Sequence, residues 1–247
     1  MRARKPRTGA AEKKASLGLF DGLAAVPAHL AEDGFFSPLA LFDRSFDARP
    51  LAGLDEAGRG PLAGPLVAAA VILPDDFDSP LIQDSKKLKD EERRQAFELI
   101  TQKALHIGVA VLSPQDVDLL NPLRASMRAM AQGLEKIPIP PKLALADGNK
   151  IPSVSCPVLA VVKGDGKSLC IAAASIIAKV TRDDLMLQEH ERFPDYGFAK
   201  HKGYGTKEHL AALKRLGPSP IHRLTYKGVL PLEQAKSPAN RGAARLF

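Results

Sequence analysis

Short apolar runs and longer amphipathic segments alternate along most of this chain. One apolar run covers Leu51 to Leu54 and ends at two adjacent carboxylates, Asp55 and Glu56. A second run covers Leu66 to Leu73, and the glycines and prolines between the two runs favour a tight connection. The pattern predicts two strands that form a hairpin, and the apolar segment His106 to Leu112 predicts a third strand.

Three segments that flank this third strand carry the signals of helices. Acids cluster at the start of the segment from Lys89 to about Lys103, where the positive end of a helix dipole favours them. Ser113-Pro114 and Asn121-Pro122 each place a capping side chain before a proline, which is typical of a helix start. We therefore predict three helices, the last of which ends near Lys136.

The second half of the chain alternates strands with helices. Strands are predicted over Leu143 to Ala146 and over Val158 to Val162. A long alanine-rich helix begins at Ser168 and runs through Asp183, and a further helical segment is predicted over Thr206 to Leu216. Strands that alternate with helices indicate an α/β architecture.

Three of these predicted strands end in acids, which are Asp55 with Glu56, Asp147 and Asp165. A single carboxylate in such a position usually belongs to a turn or a helix cap. Three such strand ends favour a shared cation site, because functional groups collect at strand ends in open α/β sheets. The predicted ligands are all oxygens and no histidine stands at ligand spacing, so we expect Mg²⁺ or Mn²⁺ rather than zinc.

The stretch Gly58-Arg59-Gly60 is a second candidate site. Its backbone amides lie beside a guanidinium, an arrangement suited to binding a phosphodiester.

On a regular strand Asp55 and Glu56 point to opposite faces. They can therefore share an ion only if the chain bends at Glu56, which a glycine at position 58 permits. The alternative is that the Asp-Glu pair opens an ordinary hairpin turn.

Charge and composition narrow the class of partner. The net charge of +7 at pH 7 favours a polyanionic partner such as nucleic acid. The two cysteines, Cys156 and Cys170, lack metal-type pair spacing, so reduced thiols and a cytoplasmic location are expected. No apolar run approaches the roughly 20 residues of a membrane span, and no apolar segment of signal-peptide type follows the basic N-terminus.

We divide the 247 residues into three parts. Residues 1–48 are expected to form a basic, flexible N-terminal extension, which packs loosely on the domain surface or awaits a partner. Residues 49–230 are expected to form the catalytic domain, including a C-terminal helical segment, and residues 231–247 a tail. Pro50 marks the first boundary.

Six motifs resemble, in chain order, those of the type 2 ribonucleases H, the ribonuclease HII family. The resemblance covers about residues 50–229, and it implies the ribonuclease H fold, a mixed five-stranded sheet flanked by helices with a C-terminal helical segment. The motifs are Asp55-Glu56-Ala57-Gly58-Arg59-Gly60, Asp84-Ser85-Lys86-Lys87-Leu88, Asp147-Gly148-Asn149, Lys163-Gly164-Asp165, the run from Ala173 to Asp183, and the run from Tyr196 to Tyr204. The segment from His222 to Tyr226 resembles the family's closing segment, except that Thr225-Tyr226 stands where Ser-Phe is usual.

Site residues also follow from this resemblance. The implied catalytic and metal-binding residues are Asp55, Glu56, Asp147 and Asp165. The implied substrate-binding residues are Gly58, Arg59, Gly60, Lys86 and Tyr204. Asp183 is an alternative fourth acid, but it lies four residues after Lys179 on one helix, so we expect it to pair with that lysine or with Arg182.

The resemblance implies a metal-dependent endoribonuclease. It would hydrolyse the phosphodiester on the 5′ side of ribonucleotides, in RNA–DNA hybrids and at single ribonucleotides in duplex DNA, with two Mg²⁺ or Mn²⁺ ions. Removal of ribonucleotides and RNA primers from DNA, and action as a monomer, are expected. The alternatives are a type 3 ribonuclease H, which has lysine in place of Arg59, and a catalytically silent nucleic-acid-binding protein with the same fold.

The residues around Tyr204 have their own expected roles. Selectivity for RNA must depend on the 2′-hydroxyl, which backbone groups of Gly58 and Gly60 and the ring of Tyr204 could contact. The lysines at 86, 87, 200 and 202 are expected to hold phosphates without reading sequence. His201 is expected to be a loop histidine bonded to backbone.

A short apolar segment in the basic N-terminal extension suggests a protein partner. Ser16 to Phe20 resembles the Gln-Leu-x-Leu-Phe peptides that dock on bacterial sliding clamps, with serine where glutamine is usual. Such peptides place leucine and phenylalanine anchors in an apolar groove. The alternative is that these residues cover an apolar spot on the domain.

Overall fold

A computed structural model describes residues 36–229, and a mixed sheet lies at the centre of this range. Within the described residues the sheet has five strands in the order β3-β2-β1-β4-β5. The strands are β1 (Leu51–Ala57), β2 (Leu66–Ile72), β3 (His106–Leu112), β4 (Leu143–Asp147) and β5 (Val158–Val161). β1, β2 and β3 pair antiparallel, whereas β4 pairs parallel with both β1 and β5. The predicted α/β fold with a mixed five-stranded sheet is confirmed.

Helices occupy the five segments where the sequence predicts them, and residues 36–229 contain two more that were not predicted, Pro38–Arg44 and Phe198–His201. They are α1 (Pro38–Arg44), α2 (Asp90–Lys103), α3 (Pro114–Leu120), α4 (Pro122–Glu135), α5 (Leu169–Arg192), α6 (Phe198–His201) and α7 (Lys207–Leu216). Asn121 caps α4 by accepting hydrogen bonds from two backbone amides of its first turn. No helix within residues 36–229 is both long and apolar enough to cross a membrane.

The alternation of β2 divides the core between the two faces of the sheet. The apolar cluster on one face joins β2 to α5, and it includes Val67, Ala69, Val71, Ala173 and Ile176. The cluster on the other face joins β2 to α4, and it includes Leu66, Ala68, Ala70, Ala129 and Met130. Both faces are therefore covered, which explains why β2 is an unbroken apolar run.

Glycine and alanine bring α5 unusually close to β1. A Cβ atom at Gly53 would lie 2.1 Å from the carbonyl carbon of Cys170, so only glycine fits there. Ala172, Ala173 and Ala174 are fully buried in the same helix. Because α5 lies directly against β1, its side chains can reach the residues at the end of that strand.

The N-terminal part of the described chain packs on the sheet domain. Within α1, Ala40 is buried and the Asp43 carboxylate accepts a hydrogen bond from the Cys170 amide over 2.8 Å. Burial raises the pKa of Asp43 to about 6. Residues of the predicted N-terminal extension thus contact the sheet domain from Phe36 onward, and the boundary at residue 48 stays a prediction. The division of the remaining termini, residues 1–35 and 230–247, lies outside the described residues.

Candidate active site

The predicted site residues meet in a cleft at the edge of the sheet where β1 and β4 end. The cleft encloses about 280 Å³. Its lining includes eight of the nine predicted site residues, which are Asp55, Glu56, Gly58, Arg59, Gly60, Lys86, Asp147 and Tyr204. The ninth, Asp165, is joined to the cleft by an ion pair, because its carboxylate accepts a hydrogen bond from Lys86 Nζ over 2.7 Å.

Asp55 is the most strongly perturbed of the acids. It is only 5% exposed, and burial together with the neighbouring charges of Glu56 and Asp147 raises the pKa of its carboxyl group well above the ordinary range. Its Oδ1 accepts a hydrogen bond from the Glu56 amide over 2.7 Å. A buried carboxylate with two acidic neighbours is costly, and a bound cation would reduce that cost.

Asp55 and Glu56 lie where β1 keeps its pairing on one side only. β1 stays in register with β2 through Asp55, Glu56 and Ala57. Its pairing with β4, however, stops at Leu54. Because the edge of β1 is open beyond that residue, both carboxylates line the cleft. The bend that would let them share one ion stays a prediction.

Asp147 and Asp165 are connected through the turn after β5. Asp147 is the last residue of β4, and its Oδ1 accepts a hydrogen bond from the Gly164 amide over 2.6 Å. β5 ends at Val161, so Asp165 lies in a single 3-10 turn, Gly164–Gly166, and not at a strand end as predicted. The left-handed conformation of Lys163, with φ of 56°, turns the chain into this position.

The donor set fits a hard divalent cation, although its side chains are paired with cations of the protein. Within residues 36–229, no three His, Cys, Asp or Glu side chains are grouped closely enough to hold a metal ion as they stand. Arg59 donates to Glu56 over 2.8 Å, and Lys86 donates to Asp165. Carboxylate oxygens are the ligands that Mg²⁺ and Mn²⁺ prefer, and the two side-chain cations occupy positions where positive charge is favourable.

Asp183, the alternative fourth acid, is engaged elsewhere. Both of its carboxylate oxygens accept hydrogen bonds from Lys179 Nζ over 2.7 Å. This is the pairing that the four-residue spacing on one helix predicts.

Two buried arginines hold the glycine loop between β1 and β2, a role that their positions in the sequence do not indicate. Arg223 is fully buried and donates to the carbonyl oxygens of Gly58, Arg59 and Gly64 over 2.6 to 3.2 Å. Arg182 approaches Gly58 so closely that a Cβ atom there would lie 2.2 Å from its Nε, and the φ of Gly58 is +97°. Gly58 is thus required by both conformation and space, whereas Gly60 has open surroundings.

Similarity to known proteins shows the family of this chain. The family model described as Ribonuclease HII matches residues 52–229. A curated ribonuclease HII of Geobacter sulfurreducens is 54% identical over 183 residues, which cover 73% of this chain and 83% of that protein. The chain belongs to the ribonuclease HII family. Its members are nucleases, and this enzyme therefore has ribonuclease H activity.

Solved structures share the fold. The ribonuclease H2 of Pyrococcus horikoshii superposes with a TM-score of 0.62 at 24% identity, and the match covers 79% of this chain and 99% of that one. The RNase HII of Archaeoglobus fulgidus, solved in a complex with PCNA, gives a TM-score of 0.55 at 30% identity. That match covers 67% of this chain and 87% of the other.

Tyr204 is exposed, whereas the neighbouring Lys200 and Lys202 are bonded to other groups of the protein. Tyr204 is 44% exposed, and its ring centroid lies 5.7 Å from the guanidinium carbon of Arg182. Lys200 forms an ion pair with Glu208 over 2.8 Å, and Lys202 donates to the Ala199 carbonyl. Contact of these two lysines with phosphates, predicted from the sequence, would therefore require them to leave protein partners.

Several buried side chains that support the cleft were not predicted from the sequence. His201 contacts backbone groups as expected, but it also stacks on His209, a residue that carries no recognisable signal in the sequence. Arg223 lies in the closing segment that resembles the family, yet a surface role is the usual expectation for an arginine. Tyr226, at a position that departs from the family pattern, donates to the Arg59 carbonyl over 2.6 Å.

Proposed function

We propose that this enzyme hydrolyses the phosphodiester on the 5′ side of ribonucleotides, in RNA–DNA hybrids and at single ribonucleotides within duplex DNA. The observation that carries the proposal is the meeting of Asp55, Glu56 and Asp147 in one cleft with the backbone of Gly58 to Gly60. Acids that can bind divalent ions thus lie beside a loop that can bind a sugar-phosphate backbone. Removal of ribonucleotides and RNA primers from DNA in the cytoplasm, by a monomer, follows as part of the proposal.

Asp55, Glu56, Asp147 and Asp165 would hold Mg²⁺ or Mn²⁺ ions. Two such ions supply the positive charge that activates water and stabilises a leaving 3′ oxygen. Asp55 is best suited to a central role, because the acidic neighbours that perturb it belong to two different strands. Lys86 and Arg59 would release Asp165 and Glu56 and become available to neutralise phosphates of the substrate.

Selectivity for a ribonucleotide would come from contacts with its 2′-hydroxyl. That group both donates and accepts hydrogen bonds, and DNA lacks it. Backbone groups of Gly58 and Gly60 are candidates for the contact, since glycine leaves the main chain accessible. The half-exposed ring of Tyr204 can stack on the neighbouring sugar at the same time.

A cleavage assay tests this function directly. The substrate is a DNA duplex that contains one ribonucleotide, incubated with Mg²⁺, with Mn²⁺ and with a chelator. We expect metal-dependent cleavage on the 5′ side of the ribonucleotide and no cleavage of the matched all-DNA duplex. Cleavage of both duplexes, or cleavage that persists with chelator, would contradict the proposal.

We further propose that Ser16 to Phe20 docks on a sliding clamp. This segment lies outside the described residues, so the support is its sequence and the solved complex of the Archaeoglobus RNase HII with PCNA. A tethered peptide adds affinity at little entropic cost when the catalytic domain is already on DNA. The test is calorimetric titration of the full chain with the clamp of the same organism, with Leu19→Ala/Phe20→Ala as control. Binding that survives the double substitution would exclude these anchors.

A further inference from the structure

Three histidines that have no role in the proposed reaction meet beneath the Tyr204 loop. His201, His209 and His222 are 7%, 0% and 2% exposed. The rings of His201 and His209 stack with their centroids 4.4 Å apart, and Nε2 of His209 lies 3.0 Å from Nε2 of His222. Buried imidazoles need hydrogen-bond partners, and those partners reveal which ring nitrogens carry protons.

The partners at the two ends of the cluster determine its protonation. The Ser219 amide can only donate, and it donates to His222 Nδ1 over 2.9 Å, so the proton of His222 is on Nε2. The Ser219 hydroxyl oxygen lies 2.7 Å from the same nitrogen and is then a second donor to it. This N–H donates to Nε2 of His209, whose own proton must then be on Nδ1. Nδ1 of His209 donates to the carbonyl oxygen of Tyr204 over 2.9 Å. One line of donors therefore runs from Ser219 through two neutral histidines to Tyr204.

His201 holds the other side of the same residue. Its Nδ1 accepts from the Gly203 amide over 3.2 Å, and its Nε2 donates to the Tyr196 carbonyl over 2.8 Å. The backbone carbonyl of His201 accepts from the Tyr204 amide over 2.9 Å. The backbone on both sides of Tyr204 is thus held by histidines, while its ring is exposed to the cleft.

We propose that His201, His209 and His222 are positioning residues that hold Tyr204, through a fixed set of neutral tautomers, in the orientation that contacts the ribonucleotide. The contact with substrate rests on the proposed function. The order of hydrogen bonds does not, because it follows from the partners alone.

The surroundings of the cluster favour neutral rings. Phe198 lies against all three histidines, with ring centroids 5.5 to 5.8 Å away. The charged or titratable groups that face His201 are Glu208 from α7, Lys200 from α6 and His190 from α5. The titratable groups that face His209 and His222 are each other and His201, and the ring of Tyr196 lies beside His222. The other groups that contact these two rings through hydrogen bonds belong largely to the backbone.

Burial lowers the pKa of each of the three rings, and it lowers the pKa of His222 to about 4. The unfolded chain therefore takes up these protons at a higher pH than the folded chain. The stability that the neutral rings provide is complete above pH ~6.5 and is lost as the pH falls toward the folded values. Acidification should consequently release Tyr204.

Nitrogen-15 NMR of the histidine rings tests the proposal without any substrate. The chain has six histidines, few enough to assign by single His→Asn variants. We expect His209 to be the Nδ1–H tautomer, and His201 and His222 to be Nε2–H tautomers, with all three neutral at pH 7. A protonated ring, or His209 as the Nε2–H tautomer, would overturn the hydrogen-bond order.

A matched pair of variants tests positioning in the reaction. His209→Asn keeps an amide donor near Nδ1, whereas His209→Gln places its amide near Nε2 and loses the donor to Tyr204. We expect His209→Gln to reduce kcat/KM on the single-ribonucleotide duplex roughly tenfold, and His209→Asn to retain most of it. His106→Gln, a histidine of the edge strand β3, is the control for a general effect of substitution.

Combination with Tyr204→Ala decides whether the histidines act through that residue. If they do, His209→Gln should cause no further loss of kcat/KM once Tyr204 is alanine. An additional tenfold loss in that background, or equal losses for both His209 variants, would overturn the proposal. Failure of the wild-type enzyme to cleave the duplex would overturn the proposed function instead, and the NMR result would still decide the network.

Discussion

Buried polar groups have opposite surroundings in two regions of this enzyme. One region is the acidic edge of the sheet, and the other is the arginine-histidine support beside it, which consists of Arg182, Arg223, His201, His209 and His222. At the acidic edge, Asp55 is buried next to carboxylates of like charge, which raises the pKa of Asp55. In the support, buried groups form hydrogen bonds with partners of opposite polarity. Arg223, for example, donates to three carbonyl oxygens of one loop. The first arrangement costs stability and the second provides it.

The difference indicates a division of labour. Groups that bind ions or substrate must keep unused capacity for hydrogen bonds and charge, so they reduce stability in the free enzyme. Groups that hold those residues in place have most of their capacity filled within the protein, as Arg223 does, although Nη1 of the buried Arg182 has no hydrogen-bond partner. Substitutions should therefore separate the two regions by their effects on activity and on unfolding.

The largest expected effect is that of Asp55→Asn on activity. The substitution removes a charge that would bind the ions, so cleavage should fall by at least about a thousandfold. The melting temperature should stay the same or rise, because repulsion with Glu56 and Asp147 is relieved. Asp147→Asn should behave in the same way. The cleavage rate and the melting temperature of each variant test these expectations. Full activity in Asp55→Asn would show that Asp55 is not part of the catalytic site.

Arg223→Met should show the opposite pattern. It leaves the carbonyl oxygens of Gly58, Arg59 and Gly64 without their buried donor, so we expect the free energy of unfolding to fall by about 3 kcal/mol. Activity should fall as well, because the loop loses its support. Arg192→Met is the matched control, since Arg192 is exposed and pairs with Glu189. Equal stability of the two variants, measured by chemical denaturation, would contradict the assigned role.

Asp165 and Asp183 provide a sharper comparison within the acids. Asp165→Asn should reduce turnover by about a hundredfold, because it removes one of the predicted metal ligands. Asp183→Asn should leave turnover within a few fold but lower the free energy of unfolding by about 1 kcal/mol, through loss of the ion pair with Lys179. The reverse pattern would show that Asp183 is the fourth acid.

Tyr226→Phe should have the smallest effect. It removes one hydroxyl that donates to the Arg59 carbonyl over 2.6 Å and accepts from Arg223 over 3.0 Å. We expect a loss of about 1 kcal/mol or less in stability, since Arg223 still reaches the same carbonyl. A change in the preference between a single ribonucleotide and a long hybrid would show that this hydroxyl also sets the loop for substrate. Parallel cleavage assays on the two substrates measure it.

Much of the fold could be predicted because its signals are local. The apolar run of β2 and the proline caps of α3 and α4 each specify their element from adjacent residues. The position of Asp165, in contrast, was predicted wrongly, because it lies in a turn and not at a strand end. Four apolar residues of β5 predict a strand, but the turn that follows depends on Lys163 in a left-handed conformation that no neighbouring residue indicates.

The class of fold, the family and the acids that meet at the sheet edge follow from residues that are neighbours along the chain. Residues that act at the cleft form short motifs, because they are held by the ends of single strands and turns. The support of those motifs by Arg182, Arg223 and the three histidines depends on contacts that exist only in the folded chain. Such side chains are polar. The burial of Arg223 depends on carbonyl oxygens more than a hundred positions away, and that of His209 depends on contact with the ring of Phe198 from another helix. Pairing of that kind is a property of the packed chain, since no local pattern records which distant group will satisfy a buried donor.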